Sequence, residues 1–281
     1  MIAPRNAPAL PRGATTVLPL GTTRRAIHSP SLQTMPSLLR ALRRLHQGYP
    51  LTVTAVGQSN TAEWAGCYGV FCAPLKAAGF NGWGHAFMRR VNATFPHARH
   101  ALHNHAIGAS SPGQASACLV NHVAVGSDLL VIDYDVSGWS RAAQEHMALT
   151  AMLLPAPRPA VLLLGFPNWC PPVETFDQWA RRNRNTPNES KPSYIGRYRS
   201  DQKAVCIDRL SSDGNASLPL EGDAVGRSVA AVARQHGMPF VSLFDALAPL
   251  IAARHPLFSP PSKFTYDGIH GQRHILTLPC L

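Results

Sequence analysis

The chain has 281 residues, of which 45% are hydrophobic and 15% are charged, a balance typical of a globular domain rather than a disordered chain. This length is sufficient for one sizeable α/β domain, and no internal repeat or second domain is visible. No apolar run approaches the roughly 18 residues that a membrane-spanning helix needs. The six cysteines form no CxxC pair and no zinc-type spacing, so they indicate no structural zinc site.

The formal charge of +11 favours anionic partners, namely nucleic acid, an acidic polysaccharide or a membrane surface. Much of this charge lies in two segments. The first 50 residues contain seven arginines and no acid, and residues 181–203 form the second basic segment. Neither segment has the helix or finger pattern of a DNA reader, so a nucleic-acid partner is not favoured.

The N-terminal residues 1–37 are rich in Arg, Ser, Thr, Pro and Ala and lack the apolar core of a secretory signal. We predict a disordered or transit-peptide-like extension there, followed by one domain over 38–281. The compartment stays open between an organelle and the secretory pathway. The sequence does not indicate an oligomeric state.

Helix and strand patterns alternate along the rest of the chain. In chain order they predict a helix over 35–48, a strand over 51–56, a helix over 82–94, a short strand within 98–108, a helix over 111–124 capped by Ser110 or Ser111, a strand over 128–136, a helix over 139–153, a strand over 159–166, a long irregular insertion over 167–219, a helix over 222–237, and a strand followed by a helix over 239–255.

This alternation predicts right-handed crossovers and a parallel sheet. The expected fold is α/β: a three-layer doubly wound domain of about five parallel strands in flavodoxin-like order, with helices on both faces. In such folds function gathers beyond the carboxyl ends of the strands. Ser59, Gly108 and Ser137 all fall at predicted strand ends.

A candidate nucleophile and a candidate base stand far apart in the sequence. The segment "LTVTAVGQSNTAEW" ends a predicted strand at Ser59, and "FTYDGIHGQRH" places Asp267 three residues before His270. A serine hydroxyl needs a neighbouring base to become a nucleophile. An imidazole can be that base, and a carboxylate can orient it and stabilise the cation that forms.

Four short blocks follow one another at predicted strand ends: "AVGQSNT", "NHAIGASS", "DLLVIDYDV" and "DGIH". This series resembles the SGNH, or GDSL-type, hydrolases. "GQSN" is similar to the nucleophile block of the sialate O-acetylesterase-like carbohydrate esterases, and the surrounding sequence resembles the plant and algal branch. The resemblance extends from about residue 38 to residue 274. "GQSNT" is not the G-x-S-x-G elbow of α/β-hydrolases, because Thr61 occupies the last position.

The resemblance implies roles for matching residues. Ser59 would be the nucleophile, and its N–H would also serve the oxyanion hole, together with a backbone donor at Gly108 or Ala109. His270 would be the general base and Asp267 its orienting partner. The family has an asparagine as its third oxyanion donor, and Ser137 stands at that position here. A hydroxyl reaches less far than a carboxamide, and losing one such donor costs roughly 10²–10³ in rate.

Other candidate groups have weaker patterns. "HARHALHNH" brings His97, His100, His103 and His105 close together, but without a carboxylate or cysteine at ligand spacing we predict no metal site. Asp133 lies in an apolar strand, where a buried carboxylate needs hydrogen-bond partners, so we predict a structural role for it. No cofactor is implied.

The leading hypothesis is a serine esterase acting on an O-acyl group of a small molecule or carbohydrate, with acetyl as one candidate. A second hypothesis is a catalytically impaired member of the same fold that binds a glycan or a protein. The third is nucleic-acid binding through residues 181–203. The sequence does not identify the acyl group or its acceptor.

Overall fold

The computed structural model describes residues 26–28, 35–62, 83–108, 110–134, 141–166, 181, 184–185 and 224–253. In chain order its elements are β1 (Ile27–His28), α1 (Pro36–His46), β2 (Thr52–Gly57), α2 (Trp83–Thr94), β3 (Ala101–Asn104), α3 (Pro112–His122), β4 (Leu129–Asp133), α4 (Arg141–Met152), β5 (Ala160–Gly165), α5 (Ala224–Gln235), β6 (Phe240–Ser242) and α6 (Leu243–Ala252). None of the helices in these ranges combines the length and apolar character that crossing a bilayer requires.

The described strands form one sheet in the order β1-β6-β5-β4-β2-β3. Strands β2 to β6 are parallel, and β1 pairs antiparallel with β6. Among the parallel strands the chain goes from β2 to β3 on one side and returns to β4 on the other. This is the predicted flavodoxin-like order, and it places a topological switch point between β2 and β4.

Helices cover both faces of the sheet, which confirms the predicted three-layer α/β fold. One apolar core packs α3, α4 and α5 against the sheet, with Leu119, Met147 and Val232 almost fully buried. The other packs α1 and α2 against the opposite face through Leu45, Trp83 and neighbouring residues. Every residue of β4 is buried, as expected for a central parallel strand.

The edge strand β1 lies inside the segment that the sequence analysis assigned to an N-terminal extension. Ile27 pairs with Val241 and His28 with Phe240. The His28 Nε2 atom lies 2.6 Å from Asp245 Oδ2 on α6. The sheet therefore includes part of the predicted extension, and the boundary at residue 38 stays a prediction.

Candidate active site

Ser59 lies in a turn directly after β2, at the switch point of the sheet. The Ala62 N–H donates to the Gln58 carbonyl over 2.8 Å, so residues 58–62 form a single helical turn. Gln58, Asn60 and Thr61 are buried, whereas Ser59 is partly exposed. Among the residues at the centre of this turn, Ser59 is therefore the one that a ligand can reach.

The end of β2 lies unusually close to the end of β4. The Gln58 N–H donates to the Asp133 carbonyl over 3.1 Å. A Cβ atom on Gly57 would lie 2.7 Å from that same carbonyl oxygen and 2.9 Å from the Asp133 Cβ. Glycine is therefore needed at position 57 for this approach, which fixes the starting point of the turn.

Buried hydrogen bonds connect the turn to β4 and α2. The Thr61 hydroxyl donates to Asp133 Oδ2 over 2.7 Å, and the Trp83 indole N–H donates to the same hydroxyl oxygen over 3.0 Å. All three residues are buried. Asp133 thus has the structural role that its position in an apolar strand predicted.

The loop after β3, described at residues 105–108 and 110, is attached to the Ser59 turn at several points. The Asn104 amide donates to the Thr61 carbonyl over 2.6 Å, and the Ile107 N–H donates to the Gly57 carbonyl over 3.0 Å. The Gln58 side chain donates to the Ser110 carbonyl over 2.8 Å. These bonds hold the segment that contains Gly108, between Ile107 and Ser110, next to the Ser59 turn.

Helix α3 begins immediately after this loop. The Ser111 hydroxyl accepts from the Gln114 N–H, and the Gln114 side chain accepts from the Ser111 N–H, so the two form a capping box. Of the two predicted caps, Ser111 is therefore the one used.

A cavity of about 330 Å³ lies beside Gly108, between the 105–110 loop, α3 and Tyr134. Two imidazoles line it, with ring centres 5.6 Å apart: His105 and His122. Desolvation, reinforced by the nearby His122 and His103, lowers the pKa of His105 from its ordinary value. Burial raises the pKa of Tyr134, whose hydroxyl lies 3.4 Å from Ser110 Oγ.

Two of the four clustered histidines, His97 and His100, have hydrogen bonds to the backbone. His100 Nδ1 accepts from the Leu51 N–H over 2.8 Å, and its Nε2 lies 2.6 Å from the Phe95 carbonyl. His97 Nδ1 accepts from the Arg99 N–H. The rings of His103 and His105 are stacked, as expected for alternate residues of a strand end. Within the described ranges no set of three or more His, Cys, Asp or Glu residues is arranged to hold a metal ion.

The remaining predicted site residues lie outside the described residues. These are Ala109, Ser137, Asp267 and His270. The structure therefore brings Ser59 and the Gly108 loop together, and the pairing of Ser59 with His270 stays a prediction. The basic segment 181–203 is described only at Arg181, Arg184 and Asn185, so its predicted role is equally open.

Sequence reasoning did not find the Thr61–Asp133 hydrogen bond or the Asn104 and Gln58 side-chain contacts with the neighbouring loops. These pairs are separated by 72, 43 and 52 residues along the chain. One signal was available: a polar residue ending each of three predicted strands. Because parallel strands end at one edge of the sheet, such residues meet there.

Comparisons with known proteins show which folds this chain resembles. Two crystal structures of a two-domain esterase (CEX) active on acetylated mannans, the second co-crystallized with mannopentaose, align with 92% of the chain. Their identities are 16% and 15% and their TM-scores 0.55 and 0.58. The chain covers 53% and 54% of them, so it spans about half the length of that esterase.

A third similar structure is LAE5, an alpha/beta hydrolase enzyme from the metagenome of Lake Arreo, Spain. The alignment covers 83% of this chain and 94% of LAE5. Its identity is 18% and its TM-score 0.45. No protein-family model matches the sequence, and no curated protein matches it. The chain therefore shares its fold with an esterase, and the plant and algal branch suggested by the sequence has no support here.

Proposed function

We propose that this protein is an SGNH-type serine esterase that hydrolyses an O-acyl ester, with an acetylated carbohydrate as the candidate substrate. The observation that carries the proposal is the position of Ser59: a partly exposed hydroxyl between buried neighbours, at the switch point where such folds bind their ligands. The fold shared with an esterase active on acetylated mannans supports the carbohydrate ester.

In the proposed mechanism His270, oriented by Asp267, removes the Ser59 proton while Ser59 Oγ attacks the acyl carbon. The backbone N–H groups of Ser59 and of Gly108 or Ala109, with Ser137, stabilise the negative charge on the carbonyl oxygen. The ester C–O bond breaks, and the alcohol leaves with the proton from His270. Water then attacks the acyl-enzyme by the same route, releasing the carboxylic acid and restoring Ser59.

The test is hydrolysis of p-nitrophenyl acetate by the full chain. Ser59→Ala and His270→Ala should each lower kcat by about 10³-fold or more, because serine and base act as a unit. Ser228→Ala, on α5, is the matched serine control and should keep the parental rate. A Ser59→Ala protein as active as the parent would end this assignment.

The second candidate is a binding module that has lost turnover, and it is favoured by one observation: Ser137 at the position where the resemblance calls for asparagine. Labelling with a fluorophosphonate separates the two candidates. Stoichiometric capture at Ser59 supports the esterase, whereas an unlabelled, folded protein that still binds acetylated mannan supports the binding module.

A further inference from the structure

Three neighbouring loops expose apolar side chains at the edge of the sheet opposite Ser59. We call this the amino edge: residues 47–51, 123–128 and 153–159, which precede the parallel strands β2, β4 and β5. Each contributes one well-exposed apolar residue, with relative exposures of 52%, 102% and 79% for Tyr49, Val125 and Leu153. A single exposed apolar residue is ordinary, but here three occur on adjacent loops at one edge of the sheet.

Backbone hydrogen bonds hold the three loops side by side. The Asp128 N–H donates to the Thr52 carbonyl, and the Ala160 N–H donates to the Asp128 carbonyl, each over 2.8 Å. Adjacent strands lie about 4.8 Å apart, so the starts of the three strands span roughly 10 Å. Gly126, with φ +77°, shapes the tight turn beside Val125. The three exposed residues therefore lie on loops that meet at one edge of the sheet.

Arginines of α1 and of the 153–159 loop lie against the amino edge, and the acid of that edge, Asp128, is already engaged. Arg44 lies over the Tyr49 ring, 5.2 Å from its centre, and pairs with Asp128 over 3.4 Å. Asp128 also accepts from the Thr52 N–H. It is the only acid among the described residues of α1 and of the three loops.

Two further arginines, Arg40 and Arg158, bond to the backbone of the 153–159 loop. The Arg40 guanidinium donates to the Arg158 carbonyl, and Arg158 Nε donates to the Leu154 carbonyl over 3.0 Å. Both arginines are exposed, as is Arg43 on the same helix. The amino edge thus combines exposed apolar residues with positive charge, and its described residues supply no free carboxylate to neutralise that charge.

We propose that the amino edge docks this domain on an anionic lipid surface. A bilayer interface accepts projecting apolar side chains without a shaped groove, and its anionic headgroups attract nearby arginines. A nucleic acid would engage the arginines but offer no apolar site to Val125 or Leu153. Docked in this way, the domain would direct the carboxyl edge, with Ser59, away from the lipid.

Vesicle co-sedimentation of the full chain tests the proposal. The protein should bind vesicles of phosphatidylcholine mixed with phosphatidylserine and stay in solution with phosphatidylcholine alone. Raising the salt from about 0.1 M to about 0.5 M should weaken binding, because it screens charges beyond several ångströms. Equal binding to both vesicles, or binding to neither, would overturn the proposal.

Two pairs of variants test the exposed apolar residues and the arginines in turn. Val125→Asp with Leu153→Asp should lower partitioning about tenfold or more, because a carboxylate does not insert into the apolar layer and is repelled by anionic headgroups. The control Val120→Asp, on the exposed face of α3, should bind as the parent does. Arg40→Gln with Arg158→Gln should cost about fivefold for each charge removed.

Arg89→Gln with Arg90→Gln, on α2, removes the same charge from another surface and should cost less. Equal losses from the two arginine pairs would show a general charge effect and overturn the amino edge as the docking face. Retention on RNA that survives Val125→Asp with Leu153→Asp, without vesicle binding by the parent, would assign the arginines to nucleic acid instead.

Discussion

Thr61 has three hydrogen-bonding contacts that together fix the turn carrying Ser59. Its hydroxyl donates to Asp133 and accepts from Trp83, and its carbonyl accepts from Asn104. Because the two hydroxyl bonds are buried, losing either one leaves a polar group without water to replace its partner. The position of Ser59 therefore depends on a residue that is itself buried.

Replacing Thr61 by valine keeps the shape of the side chain and removes both hydroxyl contacts. The Asp133 carboxyl group and the Trp83 indole then each lose a buried partner, so we expect the free energy of unfolding to fall by about 1–3 kcal/mol. Urea denaturation measures this value.

The matched control is Thr94→Val, whose hydroxyl makes an exposed bond to the Arg90 carbonyl. It should change stability by no more than about 0.5 kcal/mol. If both variants lose the same small amount, Thr61 does not hold the turn. With p-nitrophenyl acetate, Thr61→Val should also lose activity while still folded, since the position of Ser59 is disturbed.

At the scale of elements, periodicity predicted nearly the whole described fold. The apolar runs of β4 and β5 and the helical spacing of α1 gave boundaries close to those observed, because burial on a sheet or helix face imposes its period on the sequence. The edge strand β1 was missed, since Ile27–His28 is too short to show any period. Its pairing with β6 depends on a segment more than 200 residues away.

The site was less predictable than the fold. The position of Ser59 followed from a strand ending in a polar turn, but the residues that hold it followed from no local pattern. Thr61 meets Asp133 only because β2 and β4 are neighbours, and Gly57 is required only because their ends approach so closely. Such contacts follow from tertiary packing, which a single sequence does not reveal.

The close approach of β2 to β4 predicts that alanine is not tolerated at position 57. Gly57→Ala places a methyl group 2.7 Å from the Asp133 carbonyl oxygen, which is backbone and cannot move independently of β4. We expect a loss of about 1–3 kcal/mol in the free energy of unfolding. Thermal and urea unfolding monitored by circular dichroism would measure it.

Gly113→Ala, in the first turn of α3, is the control. The nearest atom to its added Cβ is Ser111 Oγ at 3.9 Å, an ordinary contact. This variant should be unchanged or more stable by up to about 1 kcal/mol, because alanine loses less backbone entropy than glycine. If the Gly57→Ala protein is as stable as the Gly113→Ala protein, the ends of β2 and β4 are not in such close contact.

At the scale of the molecule, the sheet separates two surfaces of different chemistry. The carboxyl edge carries Ser59, the buried hydrogen bonds that hold its turn and one exposed apolar residue, Ile107, whereas the amino edge carries three exposed apolar residues and several arginines. The strands between them are short, and β2 spans only Thr52–Gly57. Even so, six residues of strand extend about 20 Å, so a lipid surface at the amino edge does not reach the carboxyl edge.

This separation predicts that hydrolysis and docking can be removed independently. Val125→Asp with Leu153→Asp should keep the parental rate on p-nitrophenyl acetate while losing vesicle binding, because neither residue lies near the Ser59 turn. Ser59→Ala should show the reverse: parental binding to phosphatidylserine vesicles and no turnover. Each variant is tested in both assays from one preparation, so the property that it keeps shows that it is folded. A loss of both properties in either variant would show that the two edges are coupled through the sheet rather than independent.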